Sequence, residues 1–152
     1  MNDPMTIRYA LILVFLIICT ISDIVKRRVY FAVLVVSALI SLSIDLIFQD
    51  ISLLVIIGGV AIGLTLLGIS FASREKIGMG DAFVITVCGL CLGFAPTVSI
   101  LIMSIFIAGF AGMIAMFFLH KPKDYGLPFI PFVLGAFAIY VSFSFGFIER
   151  LI

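Results

Sequence analysis

Charged residues in this chain come in short clusters, and the stretches between them are long and apolar. Runs without Asp, Glu, Lys or Arg cover residues 9–22, 29–44, 51–73, 82–119 and 125–148. A helix crosses the hydrocarbon core of a bilayer in roughly 20 residues. The fourth run holds 38 residues, too long for one crossing and suited to two. It breaks at Gly93-Phe94-Ala95-Pro96-Thr97, a Gly/Pro turn signal. The pattern predicts six helices, at 5–23, 29–48, 51–72, 81–94, 97–119 and 128–148. A 3.6-residue period is nearly invisible, because helices in lipid are apolar on every side. Small residues mark the packed faces instead. Gly59-x-x-x-Gly63 and Gly89-x-x-x-Gly93 would let neighbouring backbones approach closely.

Composition turns this pattern into a class. The 152 residues are 64% hydrophobic and only 11% charged, with a mean hydropathy of +1.43. Soluble domains carry about a quarter charged residues to wet their surface. A water-soluble enzyme and a disordered tail are excluded, and the net charge of +1 leaves no basic surplus for nucleic acid. Six crossings would use about 120 residues, which leaves a single all-α domain, 1–152, with the lipid bilayer as its surroundings. The three Cys are an odd number and predict no structural disulfide. Ile18, Cys19, Thr20 and Ile21 fit neither a small-x-small signal cleavage site nor a lipoprotein site, so the first run reads as a retained span.

Six spans put both termini on one side. The loops after helices 1, 3 and 5 hold Lys26, Arg27, Arg28, Arg74, Lys76, Lys121 and Lys123, and the other side has only Arg8 and Arg150. Seven against two places the basic loops in the cytoplasm of a multi-pass cell-membrane protein and the termini outside. Lys26-Arg27-Arg28 is most simply a topology determinant and headgroup anchor. Asp45 and Asp50 fall in the outward loop, with no specific role expected.

An ionisable group in or bordering a membrane helix is a functional candidate by default. Asp23 ends helix 1 after fourteen uncharged residues, and Asp81 opens helix 4 in Gly78-Met79-Gly80-Asp81. The topology puts both at the cytoplasmic boundary. Two carboxylates within hydrogen-bond reach cannot easily hold two negative charges, so such a pair shares a proton near neutral pH. The ionised member activates a water and the protonated member hydrogen-bonds a carbonyl, which hydrolyses peptide bonds without a metal or cofactor. Gly78 and Gly80 would let an extended substrate backbone approach. Plainer readings exist for each residue alone. Asp23 has Lys26 and Arg27 at i+3 and i+4, and Asp81 has the position of an N-cap.

The order of features is more specific than any one of them. An Asp ends helix 1, a basic loop and two spans follow, GxGD opens helix 4, and Leu127-Pro128-Phe129-Ile130-Pro131-Phe132 enters helix 6. This series resembles the type IV prepilin peptidases, membrane aspartic proteases of the GxGD class, over essentially the whole chain. The resemblance implies a GxGD-protease-like bundle in which Asp23 and Asp81 are catalytic. It also implies substrates of the type IV prepilin or pseudopilin kind, cut after a Gly between a basic leader and an apolar helix. Pro128, Phe129 and Pro131 would flank that cut site, or would simply start helix 6. The chain departs from the family pattern in two places. Tyr30-Phe31 stands where Pro-Asn is frequent, and Phe83 stands where a Lys commonly follows GxGD by two positions. With 22 residues before Asp23, the cysteine-bearing insertion of larger members has no counterpart here. A peptidase-only form without methyltransferase activity is expected.

Cys88-Gly89-Leu90-Cys91 lies at lipid depth with no second Cys pair, and His120 falls at the end of helix 5. Small apolar cysteines packing at i and i+3 are the simpler reading, and no metal is assigned. Two other functions share the same carboxylates. A proton- or cation-coupled transporter would hold them near mid-membrane on broken helices. A structural membrane subunit would tolerate Asn at both positions.

Overall fold

The computed structural model describes residues 4–26, 29–73, 78–117 and 128–149. Arg27, Arg28, Arg74, Lys76, His120, Lys121, Lys123, Tyr125, Gly126, Leu127 and Arg150 lie outside the described residues. Within them the chain forms six helices and no strand: α1 (Pro4–Lys26), α2 (Phe31–Phe48), α3 (Leu53–Ala72), α4 (Met79–Leu92), α5 (Phe94–Phe117) and α6 (Ile130–Glu149). Helices α1, α2, α3 and α5 are long and apolar enough to cross a membrane, and α4 is a shorter apolar helix of 14 residues. The outer surface carries large apolar side chains such as Ile21, Phe106, Phe110 and Phe143. Water-soluble monomers rarely expose such contiguous apolar surface, so this is a membrane helical bundle.

Helix α4 occupies the centre. It packs on α1, α2, α3 and α5, while α6 closes the ring between α1 and α5. Eight of its residues are buried, among them Val84, Ile85, Cys88 and Leu92. Its tightest partner is α3, and the reason lies in the predicted glycine spacing. A Cβ on Gly59 would strike the Gly89 carbonyl oxygen, and one on Gly89 would strike that of Gly59. A Cβ on Gly63 would lie 2.5 Å from Thr86 Cα. The two backbones therefore touch without side chains between them, as small residues allow in lipid. The half-buried Thr86 donates to Ala82 O at 2.8 Å and the buried Thr97 to Gly93 O at 2.7 Å.

The predicted break between the fourth and fifth helices is sharper than expected. It is the single residue Gly93, at φ +80°, where a Cβ would also lie 2.6 Å from Val55 Cγ1. Pro96 sits inside the first turn of α5, where the missing N–H removes no helical hydrogen bond. Helix α1 runs one turn past Asp23 to Lys26. It lies antiparallel to α6: Tyr9 meets Ser144 across 3.4 Å and packs edge-on against Phe137, and the far end of α1 meets the start of α6.

One expectation is overturned at the Pro4 end of α1. Asp45 and Asp50 are not idle loop residues, because both hold Arg8, whose side chain is completely buried. The guanidinium grips Asp50 in a fork, Nη2 to Oδ1 at 2.5 Å and Nε to Oδ2 at 3.2 Å. Its Nη1 lies 2.6 Å from Asp45 Oδ1 and donates to the Cys91 carbonyl at 2.9 Å. That carbonyl is one of the last four of α4, which have no partner inside the helix. One side chain thus joins α1, α2, the α2–α3 turn and α4. Burial of a charge is a tertiary event, and nothing in the local sequence around Arg8 announces it.

Two predictions follow from this packing. Gly89→Val forces α3 and α4 apart and lowers stability in detergent by about 1–3 kcal/mol, whereas Gly109→Ala, with nothing within 4 Å, leaves the melting temperature unchanged. Arg8→Met strands two carboxylates and lowers stability by about 3 kcal/mol or more. The hydrogen bonds from Arg8 hold the Asp50 carboxyl below the usual carboxylate range. That contribution is complete above the unfolded value of about 4 and is lost as the pH falls through the lower folded value. Thermal melts from pH 7 down to pH 2 should show the difference between wild type and Arg8→Met shrinking below about pH 4.

Candidate active site

At the other end of the bundle the last turn of α1, the start of α2 and the first turn of α4 enclose a cavity of about 440 Å³. Asp23 and Asp81 both line it, together with Gly78 and Gly80. Residues 58 positions apart in sequence thus share one space, because α1 and α4 are in contact and run with their relevant ends together.

Asp81 does not cap α4. Gly78 is the N-cap, at φ −60° and ψ 125° with no side-chain cap, and Asp81 is the third helical residue, donating its N–H to Gly78 O at 3.1 Å. An acidic side chain in a first turn is well placed against the helix dipole, and the capping position itself carries no side chain. The φ of Gly78 suits any residue, so its value is space. A Cβ there would lie 2.9 Å from Asp81 Oδ2. At Gly80 a Cβ would lie 2.9 Å from Val29 Cγ2. The two glycines of GxGD keep the carboxylate and the approach to α2 clear of each other, a packing reason that stands beside the expected approach of a substrate backbone.

Asp23 sits one turn before the end of α1. Its Oδ2 accepts the backbone N–H of Ile130 across 3.4 Å. Ile130 opens α6, so the positive end of that helix's backbone dipole faces the carboxylate. The Lys26 ammonium, the expected i+3 partner, donates to the Tyr30 hydroxyl at 2.5 Å and lies 5.3 Å from the centre of that ring.

A sequence model of the type IV leader peptidase family matches residues 10–113, more than half of the chain. The chain belongs to that family. The matched segment contains Asp23 and the whole of Gly78-Met79-Gly80-Asp81, and ends before α6. No curated protein and no solved structure matches the chain.

Three further residues singled out in the sequence stand differently in this leader peptidase. Pro128, Phe129 and Pro131 are not among the described residues lining the cavity. Phe129 packs against the apolar core, and its carbonyl accepts the N–H groups of Phe132 and Val133 at 3.0 and 3.3 Å. What this segment brings to the site is the Ile130 amide, which no side-chain motif reveals. The cavity also receives Phe31 and Phe83, visible in the sequence only as departures from the family pattern. Cys19, Cys88 and Cys91 are buried free thiols, and among the described residues no group of three His, Cys, Asp or Glu is placed to hold a metal.

Because a Cβ at Gly78 would meet only the Asp81 carboxylate, the position tests the site without disturbing the core. In Gly78→Ala the new Cβ would lie 2.9 Å from Asp81 Oδ2, so that carboxylate turns aside. Cleavage of a leader-bearing substrate should fall, by up to roughly 100-fold if the shift reaches about 1 Å, while the melting temperature is retained.

Proposed function

We propose that this family member is an aspartic endopeptidase that removes the short basic leader of type IV prepilin-like or pseudopilin-like proteins. The cut would follow a Gly at the cytoplasmic boundary of the cell membrane. The reading rests above all on Asp23 and Asp81 lining one cavity at one end of the bundle.

One carboxylate, ionised, takes a proton from water as the oxygen attacks the scissile carbonyl carbon. The other, protonated, donates to the carbonyl oxygen, and the tetrahedral intermediate collapses with the proton delivered to the leaving amine. The two groups titrate as a unit, so neither is assigned the acid or the base. The chemistry needs no cofactor. Water must reach the site, and an edge position supplies it where a mid-membrane position would not.

The positive-inside count supports the cytoplasmic side. Arg8 strengthens that count, since Asp45 and Asp50 hold it at the opposite end of α1. Fifteen residues separate Arg8 from Asp23, about 22 Å along a helix. The transporter alternative calls for broken helices around its carboxylates, whereas α1 is continuous from Pro4 to Lys26.

The test uses purified protein in liposomes and a peptide with a basic leader, a Gly and an apolar helix, read by mass spectrometry. Wild type cuts after the Gly. Asp23→Asn and Asp81→Asn each abolish cutting with unchanged melting temperature, and the wild-type rate follows a bell-shaped pH profile set by the pair. Cutting by either Asn variant sinks the dyad.

A further inference from the structure

Arg8 is the largest completely buried side chain among the described residues, and the proposed chemistry makes no use of it. It meets α4 at two points. Its Nη1 donates to the Cys91 carbonyl at 2.9 Å, and the Cys91 thiol lies 3.9 Å from the Arg8 carbonyl oxygen. Asp45 and Asp50 hold the guanidinium as well, so it is not free to follow a shift of α1. The helix that Arg8 grips near its last residue is the one that opens with Asp81, and Asp23 stands near the last residue of α1. The two helices therefore run antiparallel, with a polar tie at one end and the two acids at the other.

Resting on the peptidase reading above, we propose that Arg8, held by Asp45 and Asp50, is a positioning residue. It sets the register of α1 along α4, and through it the separation of Asp23 from Asp81 at the opposite end of the bundle.

Arg8, Ile12, Phe15, Cys19 and Asp23 follow one another at steps of three or four, so they share one face of α1. Ile12, Phe15 and Cys19 are buried in the core to which Ile85 and Cys88 of α4 also belong. Dispersion between such side chains is a sum of many small contacts, none of which has a preferred direction. A charge-assisted fork has both a length and a direction. The Ile130 amide ties Asp23 to α6 and leaves the spacing of the two acids to the contact between α1 and α4. Helix α1 carries the constraint because it is continuous, with no glycine and no proline after Pro4. A slip of one residue at Arg8, about 1.5 Å, reaches Asp23 undiminished. A misplacement of about 1 Å already costs roughly 100-fold in rate.

The experiment uses the full chain in liposomes and the peptide with a basic leader, a Gly and an apolar helix. Arg8→Lys keeps the charge and loses the fork, and Asp50→Asn keeps the shape and loses the charge-assisted pair. Each should lower kcat by on the order of 10–100-fold with KM within about twofold of wild type. Two close carboxylates titrate at pH values pushed apart by their repulsion, so each variant should also bring the two limbs of the bell-shaped profile closer by about one unit. Asp50→Glu, which retains a carboxylate for the fork, should keep most of the wild-type kcat. Ile100→Ala is the control for stability, a cavity at a buried position of α5, which packs on α3, α4 and α6. Assayed below its melting temperature, it should keep both kcat and the width of the profile.

Spin labels at Val25→Cys on α1 and Phe71→Cys on α3, both exposed positions, read the register without turnover. Their separation should change by about 1.5 Å or more in Arg8→Lys and stay the same in Ile100→Ala. If Arg8→Lys fails to fold, Asp50→Asn in the α2–α3 turn decides on the same readouts. Wild-type kcat in the Arg8 and Asp50 variants overturns this proposal alone. Unmoved labels overturn it too, as does an equal loss of kcat and narrowing of the profile in Ile100→Ala. No cutting by wild type overturns the peptidase reading and takes this one with it.

Discussion

Everything else in the molecule is arranged around the bare contact between Gly59 and Gly89. Between helices in lipid there is no hydrophobic gain from association, so close van der Waals approach has to supply the attraction. Two missing side chains let the α3 and α4 backbones meet, and α4 then buries eight of its fourteen residues among its neighbours. An enclosed helix has no need to match the bilayer. At 14 residues α4 is about 21 Å long, against a hydrocarbon core of about 30 Å. The difference appears as space at its ends. At the Met79 end that space is the cavity shared by Asp23 and Asp81. At the Leu92 end the buried carbonyl of Cys91, left without a partner inside the helix, is taken by Arg8.

Helix α1 then acts as a spacer between two polar sites. Its Arg8 end is fixed to α4 and to the α2–α3 turn, and its Asp23 end is fixed to the first amide of α6. Asp23 and Asp81 belong to different helices, so their separation depends on how α1 sits against α4. A fork of charge-assisted hydrogen bonds at one end is a stiffer constraint than apolar packing, which tolerates sliding. The buried ion cluster and the acidic cavity are thus connected mechanically, although they lie at opposite ends of the bundle.

Much of this was legible in the sequence, and the limits have physical causes. Helix number, the break at Gly93 and the Gly59/Gly89 faces follow from span length and from the absence of side chains, both local properties. Asp23 and Asp81 stood out because charge beside a long apolar run is costly without a purpose. Arg8 looked like a boundary residue for the same local reason, and only the return of α2 and α3 brings Asp45 and Asp50 onto it. Asp81 was open to reading as an N-cap because a cap and an acid in the first turn differ by three residues, finer than periodicity resolves. The Pro128–Pro131 segment drew notice for its prolines, yet its described contribution to the site is a backbone N–H that every non-proline residue possesses.

The placement of the acids also bears on how a hydrolase can work within a bilayer. Peptide hydrolysis consumes one water per turnover. A site deep in hydrocarbon would need a continuous polar channel to deliver it. The cavity here lies at helix ends, between the last turn of α1 and the first turn of α4, where unpaired backbone N–H groups already favour hydration. A substrate whose own polarity changes at the cut would find the same change in the cavity, acidic around Asp23 and Asp81 and aromatic at Phe31 and Phe83. On the proposed peptidase reading, an interfacial site would recognise the border between leader and helix by its polarity as well as by its sequence.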